Sequence, residues 1–151
     1  MNNNISTMSV DDIIGTLGAP TKALDSELCA IAREASAMVA WAFPDADINT
    51  QTLKLEEECA EMFECYDLRD GLVDVAIVAL QLIYDYKSML ALCALRGALF
   101  ECPLQTEEAW KEFLSVCHTK IGLNYVRKSM GFWSEPSHIA IPTYARNAKE
   151  S

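Results

Sequence analysis

The chain has 151 residues, the size of one domain, and 51 % of them are hydrophobic, enough for a packed core. A formal net charge of −10 argues against direct nucleic-acid binding, which draws its affinity mainly from Lys and Arg on phosphates. No apolar run reaches bilayer-spanning length, and the opening MNNNISTMSVDD has neither the basic nor the apolar region of a secretory signal, so a cytoplasmic chain without membrane contact is expected.

Residues 1–20 are polar, carry two glycines and end at Pro20; they read as a mobile arm with at most a helical turn around Asp11–Leu17. From Asp25 the pattern is helical. Asp25 or Ser26 can cap, and Leu28, Ile31, Ala35, Met38, Val39 and Phe43 share one face up to the stop at Pro44. A second helix is expected from about Thr50 to Tyr66, with Leu55, Cys59, Met62 and Tyr66 as its apolar stripe. After the tight connection YDLRD, where Asp67 or Asp70 can cap, a third helix is expected from Asp70 to about Arg96. Between Gly71 and Tyr84 its only polar side chains are Asp74 and Gln81, and a helix apolar nearly all round is a buried one. Pro103 marks the next break, Thr106 the next cap, and a fourth helix runs from there toward Lys128. No strand-like alternation and no internal repeat appears. The expectation is an all-α, four-helix-bundle-type domain over residues 21–135, with a loose tail over 136–151. The six cysteines form no CxxC pair and several lie among apolar helical residues, as reduced core thiols do.

The acids are the informative part. At about 100° per residue, Glu58 lies at the edge of the second helix's apolar stripe and Glu61 one step further round, while Glu57 and Glu64 point away. On the third helix Asp70 and Asp74 share a face, which Gln81 and Asp85 continue. The short connection makes the two helices antiparallel, and that brings Glu58 and Glu61 opposite Asp70 and Asp74. A partly buried carboxylate cluster normally holds a cation or shifts its pKa values, and carboxylates without Cys or His suit a hard ion such as Mg²⁺, with Mn²⁺ as a substitute. A plainer reading stays open beside it: the glutamates as a solvated face, Asp70 as a cap, and Asp74 paired with a base such as Arg33 or Arg96.

LEEECAEM followed by DGLVDVAIVAL resembles the MazG-like all-α nucleoside triphosphate pyrophosphohydrolases, a superfamily that includes phosphoribosyl-ATP pyrophosphohydrolase and the dimeric dUTPases. Their motif is an EExxE on one helix and a pair of acids on the next. Glu57, Glu58 and Glu61 fit the first part. DGLVD is similar to the DALAD block of a phage and bacterial subgroup, which places Asp70 and Asp74 in the second. The resemblance covers Leu53 to Lys128, and ECPLQTEEAWKEFLSVCHTK is similar to the turn and helix that follow the block. Gly71 stands where many members have a glutamate three residues before the aspartate, and NYVRK replaces the usual Asn-x-x-Lys.

The resemblance implies cleavage of a (d)NTP between the α and β phosphates, giving the monophosphate and pyrophosphate. It implies Mg²⁺ on Glu58, Glu61, Asp70 and Asp74, a water oriented by Glu57 or Glu58, and a phosphate tail met by Lys120, Asn124, Arg127 and Lys128. It also implies a homo-oligomer, dimer or higher, using the apolar third helix. A catalytically degenerate relative that binds a nucleotide or a protein partner is the alternative. Trp41 and Trp110 fall near apolar faces and are expected in the core, whereas Trp133 is more open to stack on a base. Asn49 and Gln51 precede the acidic helix and are either readers of a base edge or an N-terminal cap or plain loop. Glu135 and His138 match half of a di-iron ExxH pair and, lacking the second half, do not make one.

Overall fold

The computed structural model describes residues 5–64 and 66–132, and these hold helices with no strand among them. A short 3-10 turn at Ile5–Thr7 leads into α1 (Val10–Gly15), α2 (Lys22–Ala42), α3 (Ile48–Glu64), α4 (Leu68–Tyr86), α5 (Met89–Glu101) and α6 (Glu107–Ser129). Capping side chains set the starts. Thr21 accepts from Leu24 N at 3.2 Å, Asp67 from Arg69 N at 2.9 Å, and Thr106 from Ala109 N at 3.0 Å. At α3 the cap is reciprocal: Asp47 Oδ1 accepts from Thr50 N and Thr50 Oγ1 from Asp47 N, both at 2.9 Å. The bond from Thr50 N–H, above all, holds the Asp47 carboxyl below its ordinary range.

The all-helical class matches expectation, but six α-helices appear among the described residues where four were expected. The helix read as running from Asp70 to Arg96 is two. Lys87 takes a left-handed φ of 51° and Ser88 caps α5 by accepting from Ala91 N at 3.1 Å. No glycine or proline advertises this break, since a lysine carries the positive φ at a conformational cost of about 1 kcal/mol. The stretch read as an arm also differs. Ile13 and Ile14 of α1 are fully buried and Leu17 joins them in the core. Arg96 Nη2 donates to Thr16 O at 3.3 Å and Lys87 Nζ to Ser6 O at 3.5 Å, tying this segment to the α4–α5 region. The helix expected from Asp25 begins earlier, because the Thr21 hydroxyl caps it and brings Leu24 into the core.

α4 is the central element, packed against α1, α2, α3, α5 and α6. Every residue from Val75 to Ile83 is buried, which is why its sequence is apolar all round. From Val75 to Ile83 its surface is consumed inside the chain, so the apolar stretch expected to meet a second copy is spent on the core, while Leu68, Tyr84 and Tyr86 at its ends are exposed. α5 exposes Met89, Leu90, Cys93 and Phe100. Two aromatic expectations change with the packing. Trp110 is buried, but Trp41 is 53 % exposed and leans on Tyr125, ring centroids 5.3 Å apart. Tyr66, read as the end of the α3 stripe, lies past the helix and is fully exposed. Trp133, Glu135, His138 and the tail 136–151 lie outside the described residues. No described helix is long and apolar enough to cross a membrane.

Candidate functional site

α3 and α4 run antiparallel, and two side-chain pairings fix their register. Gln51 Nε2 donates to Gln81 Oε1 at 2.8 Å at one end, and Met62 packs on Gly71 at the other. Gln81 Nε2 in turn donates to Asp85 Oδ2 at 2.7 Å, and Ser36 Oγ of α2 to Asp85 Oδ1 at 2.5 Å. Between those two anchors the same register brings Glu58 of α3 and Asp74 of α4 within electrostatic reach of each other.

Glu58 is only 7 % exposed, a carboxylate buried among core residues. Its Oε1 lies 3.1 Å from Lys54 Nζ, one turn earlier on α3. Asp74, half-buried, meets a lysine from another element: its Oδ1 is 3.1 Å from Lys120 Nζ of α6. Glu61 is half-buried, yet its Oε1 is fully shielded and has no hydrogen-bond partner. A buried carboxylate oxygen without a donor is costly and draws a cation or a proton. Asp70 lies exposed in the first turn of α4, where its charge acts on Asp74.

The electrostatics follow from this placement. Burial pushes the Glu58 carboxyl up; Lys54 opposes the rise and Asp74 adds to it. Burial likewise raises Glu61, reinforced by the Glu58 charge. Burial raises Asp74 too, against the pull of Lys120. Three acids therefore share one environment in which each is desolvated and each repels another, with two lysines as partial relief.

Glu57 is half-buried on α3, near enough for its charge to act on Glu61. Glu58, Glu61 and Asp74 thus act on one another electrostatically, Asp70 acts on Asp74, and Lys120 pairs with Asp74. Asn124, Arg127 and Lys128 are not joined to the acids by any hydrogen bond or ion pair among the described residues. Lys128 instead stands over the Phe43 ring, 5.4 Å from its centroid, about 12 Å further along α6 than Lys120. Gln51, a candidate for reading a base edge, is buried and bonded to Gln81, so its amide braces α3 on α4. Neither Arg33 nor Arg96 pairs with Asp74; Lys120 does. Lys54 is the residue the sequence reading missed. Its signal was present in the lysine placed one turn before Glu58.

No group of three or more Asp, Glu, His or Cys among the described residues converges closely enough to form a ready cation site. The donor chemistry still suits a hard divalent ion. Every candidate ligand is a carboxylate oxygen, and Glu61 Oε1 is a buried oxygen with no hydrogen-bond partner. Compared with known proteins, the chain matches no family model, no curated protein and no solved structure.

Proposed function

We propose that the protein is a Mg²⁺-dependent nucleoside triphosphate pyrophosphohydrolase of MazG-like type, converting a (d)NTP to the monophosphate and pyrophosphate. The observation that supports this reading is that Glu58, Glu61 and Asp74 are each raised by burial and influence one another across the α3–α4 seam, with one Glu61 oxygen buried and unbonded. A helical bundle stabilised only for its own sake has no use for three mutually repelling acids there. Glu58, Glu61 and Asp74 would hold the ion, with Asp70 at the mouth. Bound Mg²⁺ supplies charge neutralisation of the phosphates and a more acidic bound water. Glu57, whose charge acts on Glu61 and which is less buried than Glu58, would orient that water. Lys120 would meet the phosphate chain. Self-association, which the resemblance carries, falls to the exposed α5 row of Met89, Leu90, Cys93 and Phe100.

The test is pyrophosphate release from a panel of canonical and modified triphosphates with Mg²⁺ present and with a chelator. Metal-dependent release supports the reading; an intact fold with no turnover on any triphosphate ends it. A second reading is favoured by one specific contact. Gly71, where many family members have a glutamate, is closed off by Met62, and this suits a degenerate relative that binds a nucleotide without turning it over. Nucleotide binding that ignores divalent ions, measured by calorimetry, would select that alternative.

A further inference from the structure

α6 is apolar on two faces. Trp110, Phe113, Leu114, Cys117 and Ile121 turn inward and are buried. On the outward side Val116, Leu123, Val126 and Met130 are 38, 41, 52 and 72 % exposed. With Glu112 and Thr119 they occupy positions 112, 116, 119, 123, 126 and 130, alternating steps of four and three. That is the repeat by which one helix packs along another, whereas an ordinary surface helix is polar on its outward face. Thr119 fits the stripe: its hydroxyl donates to Ser115 O at 3.1 Å, so the layer it adds is a methyl group.

Gly122 is an independent observation. It lies in the interior of α6, where glycine is the poorest helix former after proline. A Cβ built there meets nothing within 4 Å, so the packing of the chain itself gives no reason for the missing side chain. A second helix crossing closely at that point gives one. Charge then chooses the occupant. Glu112 lies at the N-terminal end of the stripe and Arg127 beside its C-terminal end. The ion pairs of α6 among the described residues use Lys111, His118 and Lys120 and leave Glu112 and Arg127 out. Two parallel copies of α6 would set Arg127 against Arg127. Two antiparallel copies set the acidic end of each against the basic end of the other.

We propose that α6 pairs with α6 of a second copy, antiparallel about a two-fold axis near Ile121, through Val116, Leu123, Val126 and Met130, with Glu112 of each copy facing Arg127 of the other. Centred there, Val116 layers with Val126 and Thr119 with Leu123, and Gly122 sits at the crossing. The contact is isologous, so one face serves both copies and closes as a dimer. It does not depend on the enzymatic reading, and it is a separate face from the α5 row.

The experiment is sedimentation equilibrium of the full chain carrying Phe100→Ser, which takes the α5 row out of the measurement. This chain should form dimers, and Leu123→Gln or Val126→Gln should each weaken the dimer about tenfold. Gly122→Gln should weaken it by about the same factor without lowering the thermal unfolding midpoint, since the added side chain meets open space. Glu112→Arg and Arg127→Glu should each weaken dimerisation about fivefold, and the two together should restore it to within about twofold. A chain that stays monomeric up to about 1 mM overturns the pairing. A dimer that ignores the α6 substitutions overturns it as well, and so do charge reversals that fail to compensate each other. A monomer that binds a synthetic helix of leucine and glutamate, and loses that binding on Arg127→Glu, gives the face to an acidic foreign helix and also overturns it.

Discussion

A Cβ placed on Gly71 would lie 2.9 Å from Met62 Cγ and 3.0 Å from Met62 Cα. The second of those atoms is backbone, so the conflict is not relieved by turning the methionine side chain. Glycine at 71 lets α4 approach α3 closely enough to bury Met62, and that approach helps set the spacing across which Glu58 meets Asp74. Gly71→Ala should destabilise the fold by about 1–3 kcal/mol in denaturant titration, because the helices must separate. Gly71→Glu, which places a further acid beside Asp74, should destabilise at least as much and gain no metal affinity.

Glu61→Gln and Asp74→Asn probe the acids separately from the fold. On the proposed pyrophosphohydrolase reading, each should lower metal-dependent pyrophosphate release on the order of 10²-fold. Thermal unfolding without metal should show no loss for Glu61→Gln, since it relieves repulsion at a desolvated acid. A drop in stability that parallels the drop in turnover would point to a structural role for Glu61 instead.

The raised carboxyls set a pH dependence. Glu58, Glu61 and Asp74 hold protons in the folded chain at pH values where the unfolded chain has released them. Their contribution to stability is fully present below the ordinary carboxylate range and is lost as pH rises through their elevated folded range. In chelator, taking the wild type from about pH 7 to about pH 5 should stabilise it relative to a Glu58→Gln, Glu61→Gln, Asp74→Asn triple variant. Identical pH profiles for the two proteins would show that the seam does not perturb these acids.

Gln51 and Gln81 form a buried amide pair, and Asp85 depends on the second of them. Gln81→Leu leaves the Gln51 amide and an Asp85 oxygen without their partner and should cost about 1–3 kcal/mol. The double variant Gln51→Leu, Gln81→Leu should cost less than the sum of the singles, because the orphaned amide is then gone. Strict additivity would mean that the pair contributes nothing to the α3–α4 register.

The thiols differ in reach. Cys29 is buried, hydrogen-bonded to Asp11 and pushed up to about 12; Cys117 is wholly buried and also raised, first by burial and then by Asp74. Cys93 is exposed on α5. Brief alkylation of the native protein should label Cys93 and spare Cys29 and Cys117, which react only after unfolding. Native labelling of Cys117, read by peptide mass, would show that α6 opens away from α4.

Much of this was legible in the chain itself. The apolar period marks the helices, and capping residues such as Thr106 mark where they begin, because both are local properties of backbone and side chain. Glu58 at the edge of the α3 stripe and Asp74 inside the α4 run were visible for the same reason: helical geometry assigns a face to every position. Tertiary packing decided the rest. Lys87 carries the break between α4 and α5 in a conformation its residue type does not announce. Trp41 stays half-exposed against Tyr125 of α6, and α1 is core because Ile13 and Ile14 find a surface to cover. Only the folded chain reveals that Asp74 answers to Lys120, some forty-six residues away, and that Glu61 keeps a buried oxygen with no donor. Partnership and desolvation depend on what other elements bring to a side chain, and no periodicity within one helix records that.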